Sequence, residues 1–276
     1  MTLTSDVGSA YAAQMKAVLV AGGVPPGQIV DLAHDLAPHG VREAAFLFRE
    51  MARGFPRPTV HLVIVDPGVG GRRQPIVIAT RSGPLLVGPD NGVLVPLARE
   101  LGLRRAYRIR DPGRGGARVG TTFDGRDVFA PTAARLALGD PLASVGPRTE
   151  VRPYAIPEPV RRREGARGEV VHIDRFGNVI TNVPSRWVGT KTRRVVMRCG
   201  RSPPRTLPWV TSYERLGRGR LGALASSFGL VEVAVAEGRA SDRLKVRVGS
   251  PVTLAWRPAP AARTENANSA RPRKRR

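Results

Sequence analysis

The chain is poor in cysteine, in aromatic residues and in long apolar runs. Its one cysteine, Cys199, has no partner for an intrachain disulfide, which favours a reducing compartment. No apolar run approaches the roughly 18 residues of a membrane-spanning helix, and no basic and then apolar leader opens the chain. We therefore expect a soluble cytoplasmic protein. Its 276 residues, 41% of them hydrophobic, suffice for one large domain or two ordinary ones.

Acidic residues are also scarce, because 22 of them face 45 basic residues and the net charge is +23. Such an excess raises nucleic-acid binding as a function class. The arginines are spread over the whole chain, however, and neither local cluster, Arg161–Arg163 or Arg271–Arg276, is interleaved with the aromatic residues of a single-strand groove. We interpret the charge as an arginine-biased surface with a basic tail. Any nucleic-acid binding is then expected to be weak and nonspecific.

Strand and helix patterns alternate along the first half of the chain. The predicted strands are 1–5, 28–32, 59–65, 75–80, 85–87 and 106–109, and the predicted helices are 10–21, 41–51, 93–101 and 126–138. This alternation predicts an α/β domain over residues 1–155, with a mostly parallel sheet flanked by helices.

The pattern changes near Pro153. Residues 156–167 are rich in proline and arginine and are predicted to be a linker. Beyond them, turn residues separate short β-rich runs at 168–173, 193–198, 221–226, 230–235 and 244–248. These runs predict a smaller, antiparallel β-barrel-like domain over residues 168–257. The remaining residues, 258–276, are predicted to be a disordered basic tail.

Several kinds of catalytic or binding site are excluded by pattern. The chain has no G-x-x-x-x-G-K-[ST] phosphate loop and no G-x-S-x-G nucleophile elbow. The four histidines, His34, His39, His61 and His172, show no spacing typical of metal ligands. His61 and His172 lie inside apolar strands, where we interpret them as packed or surface residues.

Acidic residues recur at the ends of predicted strands. Asp6, Asp66 and Asp90 each follow one, and Asp124 precedes a predicted helix. Each alone fits a turn residue or a helix N-cap, but together they indicate a polar crevice at the carboxyl ends of a sheet. Carboxylates there suit a diol such as a ribose. Arg73 would neutralise Asp66 or hold a water or an anion.

Six strings in the chain resemble those of one enzyme family. They are Leu-Thr-Ser-Asp-Val-Gly at 3–8, Ile-Val-Asp-Leu-Ala-His at 29–34, Val-Asp-Pro-Gly-Val-Gly at 65–70, Gly-Pro-Asp-Asn-Gly at 88–92, Thr-Phe-Asp-Gly-Arg-Asp-Val-Phe-Ala-Pro at 122–131, and Asp-Arg-Phe-Gly-Asn-Val-Ile-Thr-Asn at 174–182. The family is that of the S-adenosyl-L-methionine (SAM) hydrolases, or SAM hydroxide adenosyltransferases, which are relatives of fluorinase and chlorinase. The strings occur in order over most of the chain.

The resemblance implies a reaction and an assembly. Water or hydroxide attacks the ribose 5′ carbon of SAM, and methionine leaves from the sulfonium, giving adenosine and L-methionine. No metal or organic cofactor is implied, since a sulfonium is already a good leaving group and the enzyme mainly aligns the nucleophile. The resemblance also implies a homotrimer, with the ligand between the first domain of one subunit and the second domain of its neighbour.

The resemblance further implies which residues form the site. Asp66 and Arg73 match two members of an Asp-Arg-His set that positions and activates water, and Asp124 stands at the third position. The implied substrate contacts are Asp6 to the ribose hydroxyls, Phe176 and Asn178 on the adenine side, Asp174 at the methionine ammonium and Ser227 at the methionine carboxylate, with His39, Asp90, Thr122 and Phe123 also assigned to substrate binding.

The chain departs from the family at Asp124, where the hydrolases have histidine. Asp124 then either acts beside Asp66, with one of the two carboxylates as a base, or is only a helix-entry cap. In the second case the chain would be a SAM- or adenosine-binding protein with little or no turnover. A halogenase is a minor alternative, because fluorinases carry tyrosine at the position of Asp66 and serine at the position of Gly125.

Overall fold

The computed structural model describes residues 1–110, 122–154 and 156–256. The predicted disordered tail lies outside the described residues. No helix within the described parts of the chain is long and apolar enough to cross a membrane.

The chain divides into two compact units. The first contains Met1–Glu158, Glu169–Asp174 and Arg247–Gly249, and the second contains Pro159–Gly168, Arg175–Val246 and the chain from Ser250 onward.

Seven strands form the sheet of the first unit. They are β1 (Thr2–Ser5), β2 (Val30–Ala33), β3 (Val60–Ile64), β4 (Pro75–Thr80), β5 (Leu85–Pro89), β6 (Leu103–Arg108) and β7 (Arg148–Thr149), in the order β2-β1-β3-β5-β4-β6-β7. The β2–β1, β1–β3 and β3–β5 pairings are parallel, and the other three are antiparallel. The α/β class is confirmed, with a mixed sheet. The turn between β4 and β5 is too short for the crossover that a parallel pairing needs.

Four helices accompany this sheet, and each lies where the sequence predicts one. They are α1 (Gly8–Ala21), α2 (Val41–Ala52), α3 (Val95–Glu100) and α4 (Ala130–Ala137). A π-helical turn, Gly125–Phe129, precedes α4. Pro131 lies within the first two positions of α4, directly after this turn.

The helices cover both faces of the sheet, and β3 lies buried between them. Leu62 and Ile64 belong to the apolar cluster that also contains residues of α1 and α4. Val63 and Val65 belong to the cluster that contains residues of α2 and α3. Successive side chains of a strand point to opposite faces, so a strand covered on both faces is apolar throughout. This explains the continuous apolar run of the sequence and fixes the residue that follows it, Asp66.

The later part of the chain forms the predicted antiparallel, barrel-like sheet. Its strands are β8 (Val160–Arg162), β9 (Gly165–Ile173), β10 (Val179–Pro184), β11 (Arg194–Cys199), β12 (Arg205–Pro208), β13 (Leu221–Ala225), β14 (Leu230–Val235) and β15 (Pro251–Trp256), in the order β12-β11-β15-β9-β10-β14-β13, with β8 beside β9. A bridge between Trp209 and Ala223 brings the two outer strands together and nearly closes the sheet. Strand β8 falls in the segment predicted to be a linker.

One predicted strand, 244–248, is wrong. The helix α5 (Ala240–Leu244) ends at this position, and Lys245 takes a left-handed conformation with φ 52°. The N–H of Val246 then donates to the carbonyl of Ser241. The alternation of Leu244, Val246 and Val248 suggested a strand, but the apolar residues belong to a helix end and a turn. The true strand, β15, begins at Pro251.

His61 is a buried and neutral residue of β3. Its side chain is 1% exposed, its Nδ1 lies 2.7 Å from Oγ1 of Thr2, and the rings of Phe48 and Phe55 meet it edge-on. Burial, with a smaller contribution from the charge of the N-terminus, lowers the pKa of His61 to about 4. The imidazole therefore packs as an uncharged ring.

We predict that His61 makes the fold sensitive to acid. The pKa is lower in the folded chain than in the unfolded one, so the unfolded state takes up the proton first as the pH falls. The stabilisation is complete above pH ~6.5 and is lost toward pH ~4, with about 2 kcal/mol lost between pH 7 and pH 5. Urea unfolding at these two pH values measures it.

The variant His61→Asn keeps an acceptor for Thr2 and cannot ionise. It should be less stable at pH 7 but should lose less stability on acidification. His39→Asn, at an exposed position, serves as the control and should follow the wild type. An equally steep acid loss in His61→Asn would contradict the assignment.

Candidate functional site

Polar residues follow four neighbouring parallel strands of the first unit. His34 follows β2, Asp6 follows β1, Asp66 lies just beyond β3, and Asp90 follows β5. The order β2-β1-β3 means that the chain leaves β1 toward one side of the sheet and later returns to its other side. Ligands bind at such a point, in the crevice outside the carboxyl ends of the strands. Asp6 and Asp66 follow the two adjacent strands β1 and β3 at this point.

Arg73 joins Asp66 and Asp124 in one buried cluster. Its Nε and Nη2 lie 2.7 and 2.5 Å from Oδ2 of Asp66, and its Nη2 lies 2.5 Å from Oδ2 of Asp124. The side chain of Arg73 is 8% exposed, and those of the two aspartates are each 5% exposed. The structure thus brings together all three residues that the sequence assigned to water activation.

The side chain of Asp124 does not cap the helix that it precedes. Asp124 stands at the N-terminus of the π-helical turn, yet it makes no side-chain capping hydrogen bond. It accepts a hydrogen bond from Arg73 instead. The interpretation of Asp124 as only a helix-entry cap is therefore wrong, because a tertiary ion pair directs its carboxylate.

The charges of this cluster are strongly coupled. Burial alone would lower the pKa of the Arg73 guanidinium, but the hydrogen bonds and charges of Asp66 and Asp124 raise it above its ordinary value. The ring of Phe129 also lies against the guanidinium, with 5.4 Å between its centroid and Cζ. Arg73 therefore stays charged and holds two carboxylates where neither would be stable alone.

One oxygen of the cluster has no protein partner. Oδ1 of Asp66 is buried and accepts no hydrogen bond within the described parts of the chain. A Cβ atom at Gly68 would lie 3.8 Å from this oxygen and 3.2 Å from Cγ of Arg73, so a larger residue would crowd both side chains. A buried acceptor without a partner is costly and calls for an explanation. A water or a hydroxyl group that donates to Oδ1 would supply one.

Asp6 meets the loop that contains His39. Oδ2 of Asp6 accepts a hydrogen bond from the backbone N–H of His39 at 3.1 Å, and the N–H of Asp6 donates to the carbonyl of Ile64. His39 adopts φ 63°, and its side chain is exposed. The structure therefore fixes His39 against Asp6 through its backbone.

A second hydrogen-bonded set supports the end of β1, and the sequence prediction missed it. Oγ of Ser5 lies 2.9 Å from Nδ1 of His34, and Nε2 of His34 lies 3.0 Å from Oδ1 of Asp31. Nζ of Lys16 lies 2.6 Å from Oδ2 of Asp31. Burial would raise the pKa of Asp31, but Lys16 and His34 lower it overall. The string at 29–34 contained this signal, since His34 and Asp31 both belong to it.

Asp90 and Asn91 hold neighbouring loops. Both carboxylate oxygens of Asp90 accept from the N–H of Arg152, at 3.0 and 3.2 Å. Burial raises the pKa of Asp90, although Arg152 opposes the shift. Asn91 donates from Nδ2 to the carbonyl of Val65 at 2.8 Å, directly before Asp66. The sequence prediction chose Asp90 from this motif and missed Asn91, which contacts the strand that carries Asp66.

Thr122 and Phe123 precede Asp124 and differ in their surroundings. Thr122 is exposed, whereas Phe123 is half-buried. The ring of Tyr11 meets Phe123 edge-on at 5.3 Å between centroids, and the guanidinium of Arg126 lies 5.4 Å from the Phe123 centroid. Phe123 is therefore fixed by contacts on more than one side.

Asp174 follows β9 and ends the segment Glu169–Asp174, which belongs to the first unit. Glu43 of α2 holds this segment, with Oε1 lying 2.5 Å from Nδ1 of His172 and 3.4 Å from the N–H of Ile173. Asp174 is half-buried. The contact shows that His172 pairs with a carboxylate.

The second unit carries the other three predicted residues. Phe176 is 69% exposed and Asn178 is buried, in a turn where Gly177 adopts φ 80° and its carbonyl accepts from the N–H of Ser241. Ser227 is exposed at the tip of the hairpin between β13 and β14. Backbone turns therefore present Phe176 and Ser227 at the surface of this unit.

No group of three or more potential metal ligands occurs among His, Cys, Asp and Glu side chains of the described residues. In the cluster of Asp66, Arg73 and Asp124, the cation beside the two carboxylates is the guanidinium of Arg73.

Family models match both parts of the chain. The SAM hydroxide adenosyltransferase N-terminal domain matches residues 1–146, and the C-terminal domain of the same name matches residues 168–253. Together these matches cover most of the chain.

Individual proteins match over similar lengths. The (R)-S-adenosyl-L-methionine hydrolase of Salinispora arenicola is 38% identical over 260 residues, covering 92% of this chain and 97% of that protein. The protein of the same name from Thermus thermophilus is 39% identical over 256 residues, covering 88% and 94%. The fluorinase of Actinopolyspora mzabensis is more distant, at 28% identity over 182 residues, covering 56% and 61%.

A solved structure shares the fold. The crystal structure of an uncharacterized conserved protein from Thermotoga maritima superposes with a TM-score of 0.81 at 33% identity, covering 92% of this chain and 99% of that one.

We predict that Arg73 is essential for the stability of the first unit. Arg73→Met keeps much of the apolar stem but leaves two buried carboxylates without a cation, which should lower the free energy of unfolding by about 3–5 kcal/mol. The exposed pair Arg135–Asp140 offers a control, since Arg135→Met should cost less than about 1 kcal/mol. Urea unfolding of both variants gives the comparison. Equal small losses would show that the cluster is not held as described.

Proposed function

Because the chain belongs to the SAM hydroxide adenosyltransferase family, we propose that it is a hydrolase that cleaves SAM with water at the ribose 5′ carbon. The products are adenosine and L-methionine. The names of the relatives specify the (R) epimer at the sulfonium, and we propose this epimer as the substrate.

The observation that carries the proposal is the unpartnered oxygen of the buried cluster. Oδ1 of Asp66 is a buried acceptor that no described residue contacts by a hydrogen bond, and Arg73 donates to the other carboxylate oxygen. A water that donates to Oδ1 is held with its lone pair free for attack. The carboxylate of Asp66 thus orients the nucleophile and receives its proton as the new bond forms.

The reaction needs no strong acid. The water oxygen forms a bond to C5′, the C5′–S bond breaks, and its electron pair returns to sulfur as a neutral thioether. One proton leaves the water and passes through the carboxylate to solvent. Since the leaving group is neutral, we propose that no metal or organic cofactor takes part.

We propose that Asp124 takes the place of the hydrolase histidine but acts through Arg73. It accepts a hydrogen bond from the same Nη2 of Arg73 that also donates to Asp66, and it adds a second negative charge beside the cationic substrate. Its role depends on Arg73, and Arg73 in turn holds the reactive carboxylate. The binding-only alternative rests on this substitution and is decided by the turnover experiment below.

The remaining roles follow the resemblance. In the first unit, Asp6 holds the ribose hydroxyls and Asp174 meets the methionine ammonium, with His39, Asp90, Thr122 and Phe123 around the substrate. Phe176, Asn178 and Ser227 belong to the second unit. We propose a homotrimer in which a neighbouring subunit supplies these three residues to each site.

Two further properties belong to the proposal. The single cysteine supports a cytoplasmic location. Nucleic acid is not proposed as a specific partner, because the arginines are spread along the whole chain.

Halogenation is disfavoured by the surroundings of Gly125. A Cβ atom at this position would lie 2.9 Å from Sδ of Met15, 3.0 Å from Cε2 of Phe123 and 3.2 Å from Cγ2 of Ile64. The serine that fluorinases carry here would therefore displace its neighbours. Asp66 also stands at the position of the fluorinase tyrosine.

We predict that the purified protein converts (R)-SAM to equal amounts of adenosine and methionine, measured by chromatography. Asp66→Asn removes the proton acceptor and should lower the rate by at least ~100-fold. Asp140→Asn, at an exposed aspartate paired with Arg135, should stay within about twofold of the wild type because surface pairs contribute little.

Each epimer is tested separately, from neutral to alkaline pH and at high enzyme concentration. Absence of both products from both epimers would contradict hydrolysis. Tight SAM binding by calorimetry without turnover would then identify a binding protein.

We predict a separate signature for Asp124. Asp124→Ala frees one side of Arg73 and should lower kcat by at least ~10-fold with a smaller change in KM, because it disturbs the nucleophile more than substrate binding. Asp124→His should keep more activity than alanine and should gain a pH dependence near ~6.5, the ordinary pKa of histidine. If both variants react as fast as the wild type at every pH of one series, Asp124 has no role in the mechanism.

A further inference from the structure

A cavity of about 590 Å³ in the second unit is lined by arginines from separate elements. Arg194 comes from β11, Arg205 from β12, Arg215 and Arg220 from the segment before β13, and Arg243 from α5. No acidic residue is among its lining residues in the described chain. This arginine cavity is distinct from every residue assigned to the hydrolase site.

The arginines of the cavity lack the ion pairs that their neighbours make. Arg218 lies 2.5 Å from Glu237, and Arg239 lies 3.5 Å from Asp242. Within the described residues, by contrast, no ion pair joins a carboxylate to any of the five lining arginines. Their positive charges therefore add up over one concave surface.

The backbone that carries the arginine cavity is well fixed. Arg243 donates from Nη1 to the carbonyl of Gly219, which adopts φ 65°. The floor is apolar, since Leu207 and Leu216 line the cavity and are both buried. Arg194 lies on the outward side of β11, opposite Pro208 of β12. The bond from Arg243 thus joins α5 to the segment before β13, and the strands that carry Arg194 and Arg205 are paired with each other.

Five guanidinium groups around one cavity repel one another unless an anion lies among them. Arginine matches phosphate in shape, because its planar fork gives two parallel hydrogen bonds to phosphate oxygens. A cavity of this volume is also within the ordinary range for small-molecule sites. A compact anion with several charges fits these conditions better than a single carboxylate does.

We propose that the arginine cavity binds an oligophosphate chain of about the size of tripolyphosphate. Among the described residues that line the cavity, none is aromatic and could stack on a nucleic-acid base. The recognised group is therefore the phosphate chain itself, either free or at the end of a small molecule. The site goes beyond hydrolysis of SAM and does not depend on that activity.

The test measures binding of sodium tripolyphosphate to the full chain by calorimetry in ~50 mM salt. The pocket variant, Arg205→Gln with Arg220→Gln, removes two lining arginines. The control variant, Arg193→Gln with Arg218→Gln, removes the same charge from exposed residues outside the lining. Thermal unfolding checks that both variants fold, which is expected because all four arginines are exposed.

The wild type should bind one equivalent saturably, and orthophosphate should bind at least ~10-fold more weakly because it meets fewer guanidinium groups. The pocket variant should weaken tripolyphosphate binding by at least ~10-fold, and the control variant by less than ~3-fold.

Three results would overturn the proposal. The first is absence of saturable binding, and the second is equal weakening in both variants, which would indicate a general surface charge. The third is tighter binding of a single-stranded DNA 20-mer than of tripolyphosphate, with loss of this DNA binding in the pocket variant. That result would assign the cavity to nucleic acid.

Discussion

The parallel alignment of β2, β1, β3 and β5 is the constraint on which the candidate site depends. Because these strands point in one direction, the residues that follow them meet at one edge of the sheet although they are far apart in sequence. The two helical layers bury β3 on both faces. They therefore fix the position of Asp66, which lies just beyond the end of this strand. Packing of apolar side chains therefore determines the position of Asp66, the residue to which we assign the reaction.

Arg73 connects the acidic residues at this edge of the sheet into one cluster. Two carboxylates buried side by side repel each other unless a cation or a shared proton is present, and Arg73 lies at hydrogen-bond distance from both Asp66 and Asp124. The same contact leaves one oxygen of Asp66 without a hydrogen-bond partner among the described residues. The arrangement thus combines stability with an available acceptor, and both depend on one guanidinium.

Sequence patterns predicted the parts of the molecule in which local and tertiary preferences agree. The continuous apolar run of β3 and the spacing of α2 reflect burial that is visible residue by residue. The run at 244–248 misled because alternating apolar residues also occur where a helix ends in a left-handed turn. The period alone does not distinguish these cases.

The site was predictable to the extent that it lay in motifs. The resemblance assigned Asp66, Arg73 and Asp124 to one set, and the structure brings them together. Sequence patterns could not decide whether Asp124 caps a helix, because its actual partner, Arg73, lies in another loop. Asn91 and the Ser5–His34 contact were missed for the same reason, since hydrogen bonds between distant segments leave no periodic signal.

The charge of the Asp66–Arg73–Asp124 cluster bears on product release. With both carboxylates ionised, the cluster carries one net negative charge. SAM carries one net positive charge, whereas adenosine and zwitterionic methionine carry none. In the proposed mechanism, the attraction therefore acts on the substrate and disappears when the carbon–sulfur bond breaks. Bond cleavage itself weakens the hold of the site on its contents, so departure of the products requires no separate signal.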